Sequence, residues 1–180
     1  MAGVMTQASA VGELIDRRPL APLQWWVLGL CTLVVLLDGF DVQAAAFTGP
    51  ALAAAWQLDR ATLGPVFAAG LAGMAVGALL IGPLGDRYGR RPALLLSVAA
   101  FGSCTLLTAW TQNVEQLVGM RFLTGVGLGG ALPNTTALIS EYAPRRHRNL
   151  CVAVTFLGIP LGGIIGGVLA MAAFGGNAAA

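Results

Sequence analysis

The sequence predicts an all-α membrane protein, and three observations carry that prediction. Of its 180 residues only 10 % are charged and 57 % are hydrophobic, with a mean hydropathy of +0.78. An ordinary soluble domain carries about 25 % charged residues. The apolar residues fall in charge-free stretches near the roughly 20 residues that a spanning helix needs. The cations are ten arginines and no lysine, distributed unevenly along the chain.

Each predicted helix follows from one stretch. Residues 19–37 are uncharged, Asp38 and Asp41 interrupt, and 42–58 are uncharged again. Trp25 and Trp26 at one end, and Trp56 beyond the other, read as interfacial anchors. A first helix is therefore expected over about 25–47, with two carboxylates near its middle. The runs 61–85 and 92–114 predict helices over 62–84 and 92–111. The run 116–140, broken only by Arg121, predicts a fourth, and 149–174 a fifth. Residues 1–24 read as a polar cytoplasmic arm ahead of a five-helix transmembrane region, 25–180. The arm is not a cleavable signal, because it carries acids and no short apolar core with a cleavage site follows it.

Arginine placement sets the expected orientation. Arg17, Arg18, Arg87, Arg90, Arg91, Arg145, Arg146 and Arg148 share one side; Arg60 lies on the other and Arg121 within a span. By the positive-inside rule the eight are cytoplasmic, so the N-terminus is inside and, after five crossings, the C-terminus outside. The net charge of +2 does not indicate a nucleic-acid partner; the expected surroundings are membrane lipid. The 25 glycines allow helices to approach closely. Cys31, Cys104 and Cys151 lie in apolar runs without metal-ligand spacing and read as small hydrophobes. His147 is the sole histidine and sits among arginines, with no metal or nucleophile motif, so an enzyme is not expected.

The intramembrane charges are the sharpest feature. A charge near the centre of a span costs about 2.5–3.5 kcal/mol, so such residues generally serve a function. Asp38 and Asp41, three residues apart, share one helix face. Neighbouring carboxylates in a low dielectric resist carrying charge together, which suits a proton-carrying site. The plainer reading is a hydrogen bond to a neighbouring helix. At 1.5 Å per residue, the two acids lie about 3 and 7 Å outward of the first helix's centre, and Arg121 about 10 Å outward on the fourth. The three could meet in one cavity. A guanidinium fork suits a carboxylate, either an aspartate or an acidic substrate; the alternative is that Arg121 snorkels outward.

Beyond Arg121 come Gly125, Gly127, Gly129 and Gly130, then Pro133 and Asn134. No strand precedes and no lysine follows, so this is not a phosphate loop. Close helix contact and a proline kink beside a cavity are expected. Gly73 and Gly77 on the second helix, and Gly158, Gly162 and Gly166 around Pro160 on the fifth, repeat the device. Between the second and third helices, Asp86 stands among Arg87, Arg90 and Arg91, with Gly82, Gly85 and Gly89 nearby. This reads as a basic turn serving topology, or as a specific charge cluster to which Glu141 is available.

Gly82, Leu84, Asp86, Arg87, Gly89, Arg90, Arg91 and Leu94 match the G-x-L-x-D-R-x-G-R-R/K-x-x-L signature of the major facilitator superfamily. Arg121, Gly125 and Gly127 match its R-x-x-x-G-x-G signature. Within it, Leu37-Asp38-Gly39-Phe40-Asp41, the run 121–134 and Glu141-Tyr142-Ala143-Pro144 resemble the aromatic acid:proton symporters, the 4-hydroxybenzoate and protocatechuate transporter group. The similarity runs from about Ile15 to the end of the fifth helix.

The resemblance implies a twelve-helix transporter of two six-helix bundles in a bacterial-type inner membrane. This chain would supply its N-terminal five helices, as a fragment or truncated product missing the C-terminal bundle as partner. It further implies a small aromatic acid as substrate, no cofactor, and the proton gradient as driving force. Asp38, Asp41, Arg121 and Asn134 would be substrate- and proton-binding residues. Gly82, Asp86, Arg87, Gly89, Arg90 and Arg91, with Glu141, would form the conformational-switch loop. Gly158 stands apart from Pro160, a departure from the antiporter signature that favours symport. The alternatives are a sugar or drug facilitator, or a truncated membrane protein that transports nothing.

Overall fold

A computed structural model describes residues 21–57 and 60–174. The predictions for the N-terminal arm through residue 20, with Arg17 and Arg18, and for 175–180 lie outside the described residues. Those residues form six helices and no strand.

Helix α1 (Pro22–Ala55) starts with proline at its first position, where no intrahelical N–H is needed. The Gln24 side-chain oxygen accepts from the Ala21 N–H at 2.7 Å. The helix runs through Pro50 and well past the predicted end at 47. Gly49 and Pro50 follow Phe47 closely yet do not end the helix, and Thr48 donates to the Ala44 carbonyl at 2.8 Å in the turn before them. It ends where Gln57 turns left-handed, at φ 52°. At 1.5 Å per residue its 34 residues span about 50 Å, beyond the roughly 30 Å hydrocarbon core.

Helices α2 (Arg60–Tyr88) and α3 (Arg90–Thr108) are joined by Gly89 alone. The expected seven-residue loop is thus a one-residue turn, and Asp86, Arg87, Arg90 and Arg91 stand on helix ends. Gly89 takes φ 99°, a conformation that L side chains resist, and Arg87 in the last turn of α2 opposes the negative end of its dipole.

Helix α4 (Val114–Tyr142) is capped by Asn113, whose side chain accepts from the Gln116 N–H at 2.9 Å. The predicted fifth helix is two segments, α5 (Arg148–Phe156) and α6 (Gly158–Phe174). Pro160 has no N–H for the Phe156 carbonyl, and the break falls beside it at Leu157. Helical hydrogen bonding bridges the break, since the Leu157 N–H bonds the Ala153 carbonyl and the Leu161 N–H the Leu157 carbonyl, each at 3.2 Å.

Four stretches are long and apolar enough to cross a membrane: Pro22–Ala55, Leu63–Tyr88, Arg90–Thr108 and Arg148–Ala172. Helix α4 is as long as α2 but less apolar, and it is the helix that the others enclose. It packs along α2 and α3 and also touches α1 and α5. Cβ atoms added to Gly73 or Gly77 would overlap the backbone of Phe122 or Val126, and one on Gly129 would overlap the Met74 carbonyl. Helices α2 and α4 therefore meet backbone to backbone. Helix α1 packs along α6 in the same way, with Gly39 against Ile159 and Gly162 against Leu36. Between α1 and α2 there is little contact.

Leu33, Leu71, Leu79, Leu95, Leu106 and Ile164 face outward, as side chains meeting lipid would. Cys31 and Cys151 lie in the core with Leu94, Ala131, Leu138 and Ile139. Trp25 and Trp26 are exposed at the start of α1. Trp56 lines a cavity instead of standing out as an anchor.

Candidate functional site

The sparse contact between α1 and α2 leaves a cleft, and α4 closes it from behind. Two cavities occupy the cleft. One, of about 460 Å³, extends from Trp56 and Thr111 past Leu63 and Val66 to Arg121. The other, of about 260 Å³, is lined by Asp41, Phe67, Gly70, Met74 and Arg121 among others. Ala45, Val66, Phe67 and Arg121 are walls of both. The larger lies within the size range of small-molecule sites, about 300–1,000 Å³.

Arg121 Nη1 donates to Asp41 Oδ2 at 3.1 Å, joining α4 to α1 across the back of the cleft. The two side chains are 19 % and 12 % exposed, so the pair is largely removed from solvent but open to the cavity. A guanidinium has five donors in a planar fork; with Nη1 on Asp41, the rest of the fork remains at the cavity wall. The rest of the lining is mostly apolar, with Trp56 and Phe67 as its aromatic members and Thr48, Thr108, Thr111 and Thr124 as its hydroxyls. That combination fits a flat apolar molecule with one carboxylate.

Asp38 does not join this pair. It is buried one turn earlier on α1, and its Oδ1 has no hydrogen-bond partner. Gly39 between the acids faces α6, and this contact turns Asp41 toward α4. The meeting of three charges expected from their depths is thus a meeting of two, with the third a turn away.

Asn134 lies elsewhere. It follows Arg121 by 13 residues on α4, about 20 Å along the axis. It is fully buried between α2 and α4, donating to the Ile81 carbonyl at 3.3 Å and the Gly130 carbonyl at 2.8 Å. The structure therefore places it in a helix interface, apart from the carboxylate pair.

At the arginine-rich end, Arg90 Nη2 contacts Asp86 Oδ1, and its Nε lies 3.7 Å from Glu141 Oε1. One guanidinium from α3 thereby gathers carboxylates from α2 and α4. Arg87 stacks over the Tyr88 ring at 5.5 Å, and Arg91 is exposed. Gly82 has ordinary room, with Pro133 3.8 Å from where a Cβ would stand. Gly85, by contrast, has no such room: a Cβ there would overlap Asn134 Oδ1.

Two features escaped sequence reasoning. Gln24 Nε2 donates to the Tyr142 carbonyl at 2.7 Å, tying the start of α1 to the end of α4. Its signal was a polar side chain beside two tryptophans. Phe67 and Val66 carry no signal that separates a cavity wall from a lipid face.

Comparison with known proteins agrees with the signatures. The profile of the Major Facilitator Superfamily matches residues 31–178. The chain is 51 % identical to the 4-hydroxybenzoate transporter PcaK of Pseudomonas aeruginosa over 157 residues, covering 87 % of this chain and 35 % of that protein. It is 46 % identical to the gallate transporter of Pseudomonas putida over 159 residues, 88 % and 35 % of the two. With the 3-(3-hydroxy-phenyl)propionate transporter of Escherichia coli it shares 45 % over 145 residues, 81 % and 36 %. The chain spans about a third of the length of the curated relatives it matches. With the helical fold, the membrane-length stretches and the profile over most of its length, this multi-pass membrane chain belongs to the Major Facilitator Superfamily.

Proposed function

We propose that this chain forms the N-terminal helices of a proton-coupled importer of aromatic carboxylates such as 4-hydroxybenzoate. The observation that carries the reading is the Arg121–Asp41 pair at the wall of a mostly apolar cleft that includes Phe67. The names of the relatives support the substrate class. A proton arriving on Asp41 removes the charge that holds Arg121. The guanidinium fork then takes the substrate carboxylate, with the ring against Phe67 and Met74. Proton and anion travel together because one cation cannot serve two carboxylates equally. Asp38, buried nearby without a partner for Oδ1, serves as the further proton site of the same helix. In this reading the arginine-rich end is cytoplasmic and the cleft opens outward past Trp56 in a bacterial inner membrane. The remaining two thirds of the relatives' length supplies the opposing bundle, and the two rock about the site.

The test is uptake of labelled 4-hydroxybenzoate under an inward proton gradient, by the full reading frame in cells lacking their own uptake of it. Asp41→Asn and Arg121→Gln each lower uptake at least tenfold. Arg121→Lys keeps the charge without the fork and retains an intermediate rate. Unlabelled aromatic acids compete, whereas sugars and cationic drugs do not. Undiminished uptake by Asp41→Asn would remove its assigned role.

A further inference from the structure

Asn134 poses a question that the substrate cleft does not answer. Its amide is oriented by two donations from Nδ2, to the carbonyls of Ile81 and Gly130. That orientation points Oδ1 away from both, and Oδ1 is buried with no partner. An unsatisfied carbonyl oxygen inside a helix interface is costly and is rarely left so. What stands opposite is Gly85. The position a Cβ would take there overlaps Asn134 Oδ1 and lies 3.2 Å from Arg90 Nη1. Because residue 85 is glycine, the amide oxygen and the guanidinium face each other across the space of a single methyl group.

The present partners of Arg90 are of the opposite kind. Nη2 is on Asp86 and Nε is near Glu141, whose side chains are 66 % and 57 % exposed, while Arg90 itself is only 22 % exposed. Exposed ion pairs are weakened by solvent and salt and form and break easily. The guanidinium is thus more enclosed than the acids that hold it, and its remaining terminal nitrogen is turned toward an acceptor that lacks a donor.

We infer that Asn134 Oδ1 is a second seat for the Arg90 guanidinium, reached through the opening at Gly85. Arg90 passes from the surface carboxylates of Asp86 and Glu141 to the buried amide as the protein changes state. Asn134 is then a positioning residue of the conformational cycle and not a substrate ligand. Taking the amide releases both acids, which come from α2 and α4, and so unfastens the arginine-rich end. The alternation rests on the transport function proposed above, whereas the coupling of the two side chains does not.

Two measurements on the full-length protein separate these parts. The first is a thermal double-mutant cycle in detergent, read without substrate. Asn134→Asp places a carboxylate where Arg90 reaches it. In the presence of Arg90 the substitution leaves the melting temperature within about 2 °C or raises it. In an Arg90→Gln background it lowers it by about 5 °C or more, since a buried charge is then unpaired. Asn134→Ser, whose short hydroxyl introduces no charge, serves where the aspartate variant fails to fold, and its effect is smaller in Arg90→Gln than with Arg90. Gly85→Ala abolishes the coupling in either cycle. Equal effects of residue 134 in both backgrounds would overturn the contact. The second is uptake kinetics. Asn134→Asp lowers the maximal rate at least tenfold with KM unchanged within twofold, because the guanidinium is held in one seat while the cleft is intact. A wild-type maximal rate in a variant that shows the thermal coupling would overturn the alternation. Failure of the unsubstituted protein to take up aromatic acids would instead count against the transport reading, and the thermal cycle would still decide the contact.

Discussion

Gly162 and Gly163 are neighbours on α6, yet alanine at each is expected to act with opposite sign. A Cβ on Gly162 would overlap the Leu36 carbonyl oxygen and approach the Phe40 amide nitrogen, both backbone atoms of α1. Backbone cannot rotate away as a side chain can, so the two helices must separate along their contact. Overpacking costs about 1–3 kcal/mol, and an overlap with rigid backbone at two residues falls in the upper part of that range, about 2–3 kcal/mol. Alanine returns about 0.5–1 kcal/mol through helix propensity, which leaves a net loss of about 1–2 kcal/mol. Gly163 has nothing within 4 Å of its added Cβ, so only the propensity gain remains, about 0.5–1 kcal/mol. At about 2–4 °C per kcal/mol for a chain of this size, Gly162→Ala lowers the melting temperature by about 2–8 °C and Gly163→Ala raises it by about 1–4 °C. The buried free thiols of Cys31 and Cys151 supply the readout, since a thiol-reactive dye labels them as the helices come apart. Shifts of the same sign, or a larger loss at 163 than at 162, would refute the backbone-to-backbone packing of α1 on α6.

Three further predictions concern helix ends. Gln57 holds the left-handed conformation that closes α1, so Gln57→Gly stabilises the chain by about 0.5–1 kcal/mol in the same melting assay, and Gly89→Ala, at φ 99°, costs about 1–3 kcal/mol. Gln24→Ala removes the hydrogen bonds to the Ala21 N–H and the Tyr142 carbonyl, at about 0.5–1.5 kcal/mol each; hydrogen exchange in the first turn of α1 quickens severalfold, and an unchanged rate would show that the link contributes nothing.

The membrane character and the helices of this chain were legible because each depends on local composition. Charge-free runs of membrane length need no tertiary information. The likeness in depth of Asp41 and Arg121 was legible too, because rise per residue is a constant of the helix. Which acid Arg121 would take was not. Asp38 and Asp41 differ by about 60° around α1, and the rotation of α1 is set by Gly39 resting on Ile159, a contact 120 residues distant in sequence. The place of Asn134 was not legible for a related reason. A polar residue in a glycine run reads equally as a cavity ligand or as a lock between backbones, and only the partner helix decides. The turn at Gly89 shows the converse. Charged residues ended the apolar runs, but they did not end the helices, because arginines at a membrane boundary are good helix formers.

Helix α1 is fastened to α4 at two heights. Gln24 holds the Tyr142 carbonyl at one end, and Asp41 holds Arg121 some 17 residues, or about 25 Å, further along. Fastened at both, the helix is a fixed strut. If an anion took Arg121, as in the function proposed above, the upper link would open and the helix would become a lever pivoting at Gln24, with α6, packed along it, as part of the same arm. A tilt of about 5° on a 25 Å arm displaces Asp41 by about 2 Å, more than enough to part the ion pair. The same tilt grows toward Trp56, where the arm is longest. In that reading, loss of one ion pair would produce its largest displacement at the mouth of the cleft.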